Sequence, residues 1–134
     1  MKKIKILSLI FLFGVLSLSS CKKEDNNSSS SSNNSNSTTL NPPAWIQATW
    51  KDDQSNGYRF TSNDMYTLLM GSELSVSESL KDGEYFTETI EDNMYEFIIH
   101  RNTNSTEPWH FNKLSDNQIE HVDNMNEHRT YTKQ

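Results

Sequence analysis

The chain has one cysteine, Cys21, and only four glycines and three prolines among its 134 residues. A single thiol allows no internal disulfide and no cysteine-based metal cluster, so an exported domain would depend on its packed core for stability. The sequence also has no nucleophile elbow, P-loop, metalloprotease helix or dinucleotide-binding fingerprint. We therefore expect no enzymatic activity, no cofactor and no cysteine chemistry.

Positive charge is scarce in the C-terminal two thirds of the chain. From Ala44 to Gln134 there are seven lysines and arginines against sixteen acidic residues, a formal charge of −9. Such a surface repels phosphate backbones and anionic membranes. We expect no nucleic-acid partner.

The N-terminus has the layout of a secretory signal peptide. Lys2, Lys3 and Lys5 precede an apolar run from Ile6 to Leu18, and small residues follow. The run is shorter than the roughly 20 residues that span a bilayer, which disfavours a retained transmembrane helix. We assign residues 1–20 to the signal peptide.

The sequence Leu18-Ser19-Ser20-Cys21 resembles the bacterial lipobox. The resemblance implies that Cys21 receives a lipid, that cleavage occurs before it, and that the protein is anchored in the outer membrane. Two or more acyl chains on one residue give stable anchoring. The following Lys22-Lys23-Glu24-Asp25 resembles the surface-export signal of Bacteroidota lipoproteins, which implies display on the cell surface; a periplasm-facing anchor is the alternative.

The stretch from Asn26 to Thr39 contains only asparagine, serine and threonine. It has too little apolar surface to offset its ordering entropy. We predict a disordered tether over residues 21–43, starting with the lipidated cysteine, and one domain over 44–134, enough for a single modest core.

Short segments rich in aromatic and β-branched residues alternate with turn residues through this domain, which predicts an all-β fold. The predicted strands are Gln47–Asp52, Tyr58–Thr61, Met65–Met70, Glu84–Ile90, Met94–Arg101, Trp109–Leu114, Ile119–Val122 and His128–Lys133. The segment Ser72 to Asp82 fits either a short helix, which we slightly favour, or an extra strand. Consecutive antiparallel hairpins favour a small up-and-down barrel of about eight short strands.

Face matching fixes the register, because a slip of one residue inverts every side chain. A tight turn at Asp92-Asn93 places three pairs opposite each other: Ile90 with Tyr95, Glu88 with Phe97, and Phe86 with Ile99. The same alternation places Trp109, Phe111, Ile119, His121, Arg129 and Tyr131 inward, and His100, His110 and His128 outward.

Two stretches resemble lipocalin-like lipoproteins of Bacteroidota. Ala48-Thr49-Trp50 is similar to the opening of the first lipocalin strand, although an alanine stands where that family usually has glycine. Trp109 to Ile119 is similar to a late hairpin of the family. The resemblance implies a compact lipocalin-like barrel with a small lumen.

Inward aromatic side chains could line a ligand pocket at the barrel mouth, or they could fill a barrel this small. The candidate ligand-binding residues are Tyr58, Phe60, Glu88, Phe97, Trp109, Phe111 and His121. An inward Glu88 would need a partner, for which Arg59, Arg129 or His121 are the candidates. We expect no metal site, because the four histidines do not share a face.

Two classes of function remain open at this point. The chain is either a membrane-anchored binder of a small apolar or amphipathic ligand, or a protein-interaction module. The second class includes an accessory subunit of an outer-membrane complex and an enzyme inhibitor.

Overall fold

The computed structural model describes residues 31–134. The predicted signal peptide and Cys21 lie outside this range. The described part is all-β, and its only helical element is one turn of 3-10 helix at Ser77–Ser79. Within it, no helix combines the length and the apolar character needed to cross a bilayer.

Ten strands form one antiparallel sheet. They are β1 Ser31–Ser37, β2 Thr49–Lys51, β3 Gly57–Phe60, β4 Met65–Leu69, β5 Ser72–Ser75, β6 Tyr85–Ile90, β7 Met94–His100, β8 Thr106–Ser115, β9 Gln118–Val122 and β10 His128–Lys133. Their order in the sheet is β1-β6-β7-β8-β9-β10-β2-β3-β4-β5. All eight predicted strands are present with small shifts at their ends.

The predicted register of the central hairpin is confirmed. β6 and β7 pair with Ile90 opposite Tyr95, Glu88 opposite Phe97, and Phe86 opposite Ile99. Alternate residues of β7 are buried, because Tyr95, Phe97 and Ile99 all point to the inner face. The inner face of this hairpin is therefore the wall of the core.

The sheet curls strongly around that core. The rings of Phe60 on β3 and Tyr95 on β7 lie 6.2 Å apart, although five neighbouring steps separate their strands in the sheet. Adjacent strands are spaced about 4.8 Å apart, so a flat sheet would hold these rings more than 20 Å apart. Residues from both halves of the sheet thus share one interior.

The prediction of a closed barrel is wrong. β5 and β6 do not pair among the described residues, and β6 pairs at that edge with β1 instead. The chain between β5 and β6 buries Val76 and forms the 3-10 turn. The edge that would have closed the barrel is already hydrogen-bonded to the N-terminal strand.

The tether prediction is also wrong for Ser31–Ser37, which form β1. Backbone pairing needs no apolar side chain, and an unpaired edge of β6 offers donors and acceptors to any extended segment. After β1 the chain turns inward, and Leu40 is fully buried. The packed domain therefore begins before Ala44.

The segment 72–82 is partly strand and partly 3-10 turn. β5 covers Ser72–Ser75, so the slightly favoured helix starting at Ser72 is wrong for these residues. The 3-10 turn follows because Asp64 accepts hydrogen bonds from the backbone N–H and the hydroxyl of Ser77, at 3.0 and 2.8 Å. This tertiary contact fixes the chain direction after β5.

The two ends of the curled sheet differ. One end, which we call the open end, carries four connections: β2–β3, β4–β5, β7–β8 and β9–β10. The β3–β4, β6–β7 and β8–β9 connections lie at the other, the closed end. Ile46, which shortly precedes β2, is fully buried.

Candidate functional site

Aromatic rings fill the interior between the two ends. Phe60, Phe97 and Phe111 are buried, with exposed fractions of 3% or less. Edge contacts join Phe60 to Phe111 at 5.1 Å and Tyr58 to Phe111 at 5.2 Å. Of the predicted ligand-binding residues, these three phenylalanines are therefore core residues, and they line neither of the two clefts described below.

Trp109 occupies a different position, near the start of β8 at the open end. Its ring is half-buried and stacks on Phe97 at 5.9 Å and on His121 at 5.4 Å. Tyr58 meets the Trp109 ring edge-on at 6.1 Å. Trp109 is thus held rigidly by three rings and also reaches the surface.

Two open clefts border Trp109. The first has a volume of about 250 Å³. Its lining residues are Glu107, Pro108, Trp109, His121, Asp123 and Asn124. The second has a volume of about 300 Å³ and extends from Trp109 across β10 and β3 to the β4–β5 hairpin. Both lie at the open end.

The second cleft combines an apolar wall with one cation. Leu68, Leu69 and Leu74 form the wall, while Tyr131 and Tyr58 contribute ring surface. Arg129 lies at its rim, where the guanidinium pairs with Glu127 at 2.9 Å. Arg129 was predicted to face inward; its strand position agrees, but the side chain lies at the exposed edge of the open end. An exposed ion pair of this kind contributes little stability and can exchange partners.

An ion-pair network borders the first cleft. Arg101 binds Glu84 at 2.9 Å and Glu107 at 2.8 Å. A backbone hydrogen bond from Lys81 and the Arg101 guanidinium lower the pKa of Glu84. The network fixes the β7–β8 connection against the segment before β6, and so positions Glu107 beside Trp109.

His121 lines the first cleft, and Tyr58 lines the second. The hydroxyl of Tyr58 and Nδ1 of His121 are hydrogen-bonded at 3.0 Å. Burial lowers the pKa of His121 to about 4, and burial likewise raises the pKa of Tyr58. At neutral pH both groups are therefore uncharged, and together they form a neutral hydrogen-bonded pair.

Glu88 lies in the middle of β6, opposite Phe97, and lines neither of the two clefts. It accepts hydrogen bonds from the backbone N–H of Asn41 at 2.8 Å, the Asn41 amide at 3.2 Å and the Tyr95 hydroxyl at 2.6 Å. The predicted partners Arg59, Arg129 and His121 were wrong. A buried carboxylate needs donors, and the incoming N-terminal segment supplies them.

Exposed apolar side chains gather at the open end. Leu69, Met70, Leu74 and Met125 are 54–92% exposed. The first three belong to the β4–β5 hairpin and the last to the β9–β10 connection. We call this group the apolar rim. Sequence reasoning missed it, although Leu69-Met70 directly before a Gly71 turn is a usable signal for an exposed hairpin tip.

The histidines do not converge. His110 contacts Glu96 at 3.3 Å and His128 contacts Glu120 at 3.0 Å, both on the outer face, whereas His121 lies inside. Within residues 31–134, no group of three or more histidine, cysteine, aspartate or glutamate side chains is arranged to hold a metal ion.

No protein-family model, no curated protein and no solved structure matches this chain.

Proposed function

We propose that this protein is a lipid-anchored, surface-exposed lipocalin-like binding protein without catalytic activity. Its lipidated residue is Cys21, and its ligand is a small apolar or amphipathic molecule held against Trp109. The observation that carries the proposal is the half-buried Trp109 ring between two open clefts, backed by the rings of Phe97, His121 and Tyr58. Ligand sites are typically concave, mostly apolar and built on a rigid wall.

The second cleft is the better match to an amphipathic ligand. Its volume of about 300 Å³ is at the lower limit of known ligand sites, which restricts the ligand to a small molecule. An alkyl or aryl group would pack on Leu68, Leu74 and Trp109. An anionic head group would replace Glu127 as the partner of Arg129.

The test is a calorimetric titration of the anchored protein in lipid nanodiscs. The ligands are octanoate, octanol and octylamine, with empty nanodiscs as the background. We expect octanoate to bind most tightly. Trp109→Ala should remove binding, and Arg129→Gln should remove the preference for octanoate over octanol. Trp45→Phe is the matched control, because Trp45 precedes the buried Ile46 of the closed end. Equal heats for Trp109→Ala and the unmodified protein would contradict the proposal.

The apolar rim supports a second candidate, a protein-interaction module. Clustered exposed apolar side chains mark contact surfaces more often than scattered ones do. Native mass spectrometry of the protein taken from its own membrane separates the two candidates. A bound small molecule supports the ligand-binding protein, and a stoichiometric protein supports the interaction module.

A further inference from the structure

The N-terminal segment enters the described domain at the closed end. β1 runs antiparallel to β6, with Ser31 opposite Ile90 and Ser37 opposite Phe86. Ile90 is the last residue of β6, directly before the β6–β7 connection. Ser31 therefore lies at the closed end, on the far side of the sheet from the apolar rim.

Only a short piece of chain separates this point from the proposed lipid. Nine residues lie between Cys21 and Ser31. Even fully extended, that stretch spans about 33 Å, and its root-mean-square reach as a random coil is about 17 Å. The longest strand, β8, has ten residues and is itself about 33 Å long. The lipid is thus held within one molecular length of the closed end.

We infer that β1 orients the domain on its membrane, with the closed end toward the bilayer and the open end away from it. The inference rests on the lipid anchor of the proposed function. It adds that the cleft beside Trp109 takes its ligand from the aqueous side and not from the anchoring bilayer.

The pairing of β1 with β6 restricts the orientation of the domain relative to the membrane. Without its pairing, the chain would leave the domain at Leu40, which the hydrogen bonds from Asn41 to Glu88 hold in place. Eighteen residues, 22–39, would then separate Cys21 from the domain. Extended, they reach about 60 Å, enough for either end of the molecule to meet the bilayer.

Energy transfer from the domain to the membrane measures this orientation. Lipidation of Cys21 uses the only thiol of the chain, so one introduced cysteine can be labelled alone. A donor dye is placed on Met70→Cys at the open end or on Asn93→Cys at the closed end; both positions are exposed. The full lipidated chain is reconstituted into phosphatidylethanolamine–phosphatidylglycerol vesicles that carry a head-group acceptor dye.

We expect energy transfer from position 93 to be at least about twofold more efficient than from position 70. The two positions differ in their distance from the bilayer by about one strand length, ~30 Å. The double change Ser32→Pro with Asn33→Pro should bring the two efficiencies toward equality. Neighbouring residues of a strand direct their N–H groups to opposite sides, so one of the two prolines removes a hydrogen bond to β6. Asn26→Pro, upstream of β1, is the matched control and should leave the difference unchanged.

Two results would overturn the inference: equal or higher transfer from position 70 in the unmodified chain, or a difference that persists in the double-proline variant. A separate experiment tests whether Cys21 carries the lipid anchor at all, so its outcome can be told apart from these two results. Vesicle association that survives Cys21→Ala would contradict the lipid anchor, whereas equal transfer on an anchored chain contradicts only the orientation. Octanoate binding is measured separately and depends on neither result.

Discussion

The backbone N–H of Asn41 donates a hydrogen bond of 2.8 Å to Oε1 of Glu88, 47 residues further along the chain. This contact fastens the N-terminal segment to the middle of β6, next to the fully buried Leu40. The Tyr95 hydroxyl donates to the same oxygen at 2.6 Å. One carboxylate thus joins the entering chain to the β6–β7 hairpin.

We predict that Glu88→Ala lowers the free energy of unfolding by about 3 kcal/mol, because it leaves the Asn41 N–H and the Tyr95 hydroxyl without an acceptor. Glu88→Gln keeps one acceptor and should cost about 1 kcal/mol. Urea unfolding followed by tryptophan fluorescence measures both. Asn41→Ala is the control, since it removes only the longer side-chain bond of 3.2 Å and leaves the backbone donor in place. A Glu88→Ala protein as stable as the unmodified one would contradict this account.

The β6–β7 hairpin could be predicted to the residue because its two strands carry apolar side chains at matching alternate positions. A slip of one residue would have exposed Phe86, Phe97 and Ile99 together. The outward position of His110 followed from the same alternation.

The strand that pairs with the free edge of β6 could not be predicted in this way. Which segment pairs with the free side of β6 depends on which one reaches it, and the serine and asparagine residues of β1 have low strand propensity. The candidate site shows the same limit. Alternation places Phe97, Trp109 and Phe111 on one face. Trp109 reaches the surface because it lies close to the start of β8, at the open end, and alternation carries no information about that.

His121 gives the protein a pH-dependent stability. Burial lowers its pKa in the folded state to about 4, against an ordinary value of 6.5. Asp123 partly opposes this shift, while Arg129 and His110 add to it. Below pH 6.5 the unfolded chain therefore binds a proton that the folded protein does not, so stability falls as the pH drops from about 6.5 to 4.

We expect this residue to remove about 1.5 kcal/mol of stability between pH 7 and pH 5, a value reduced from the full shift because the ring borders an open cleft. His121→Phe, which fills similar volume and cannot titrate, should lose that part of the pH dependence. His128→Gln is the control, since His128 is exposed. Urea unfolding at pH 7, 6 and 5 provides the comparison, and an unchanged slope in His121→Phe would contradict the assignment.

Asp64 is a second buried carboxylate with a structural task. Its Oδ1 accepts hydrogen bonds from the backbone N–H groups of Met65 at 2.7 Å and Ser77 at 3.0 Å, and Oδ2 accepts one from the Ser75 hydroxyl. Asp64→Ala should therefore cost about 2–3 kcal/mol and free the segment between β5 and β6. Hydrogen exchange should show faster exchange at Ser77. Asp53→Ala, at an exposed turn position, should leave both stability and exchange unchanged.

Gly57 fixes the contact between β2 and β3 at the open end. A Cβ atom at this position would overlap the carbonyl oxygen of Trp50, which is backbone and cannot move aside without breaking the strand pair. Gly57→Ala should thus cost more than about 3 kcal/mol or prevent folding, because relieving the overlap requires the backbone of β2 or β3 to shift. It should also displace Tyr58 from His121 and abolish octanoate binding in any protein that still folds.

Gly71 provides the matched comparison. It has a positive φ of 82°, but a Cβ there would meet no atom within 4 Å. Gly71→Ala should therefore cost only the backbone strain of about 1 kcal/mol. Thermal unfolding of the two alanine variants side by side measures the difference. Equal losses would show that steric overlap with Trp50 is not what requires a glycine at position 57.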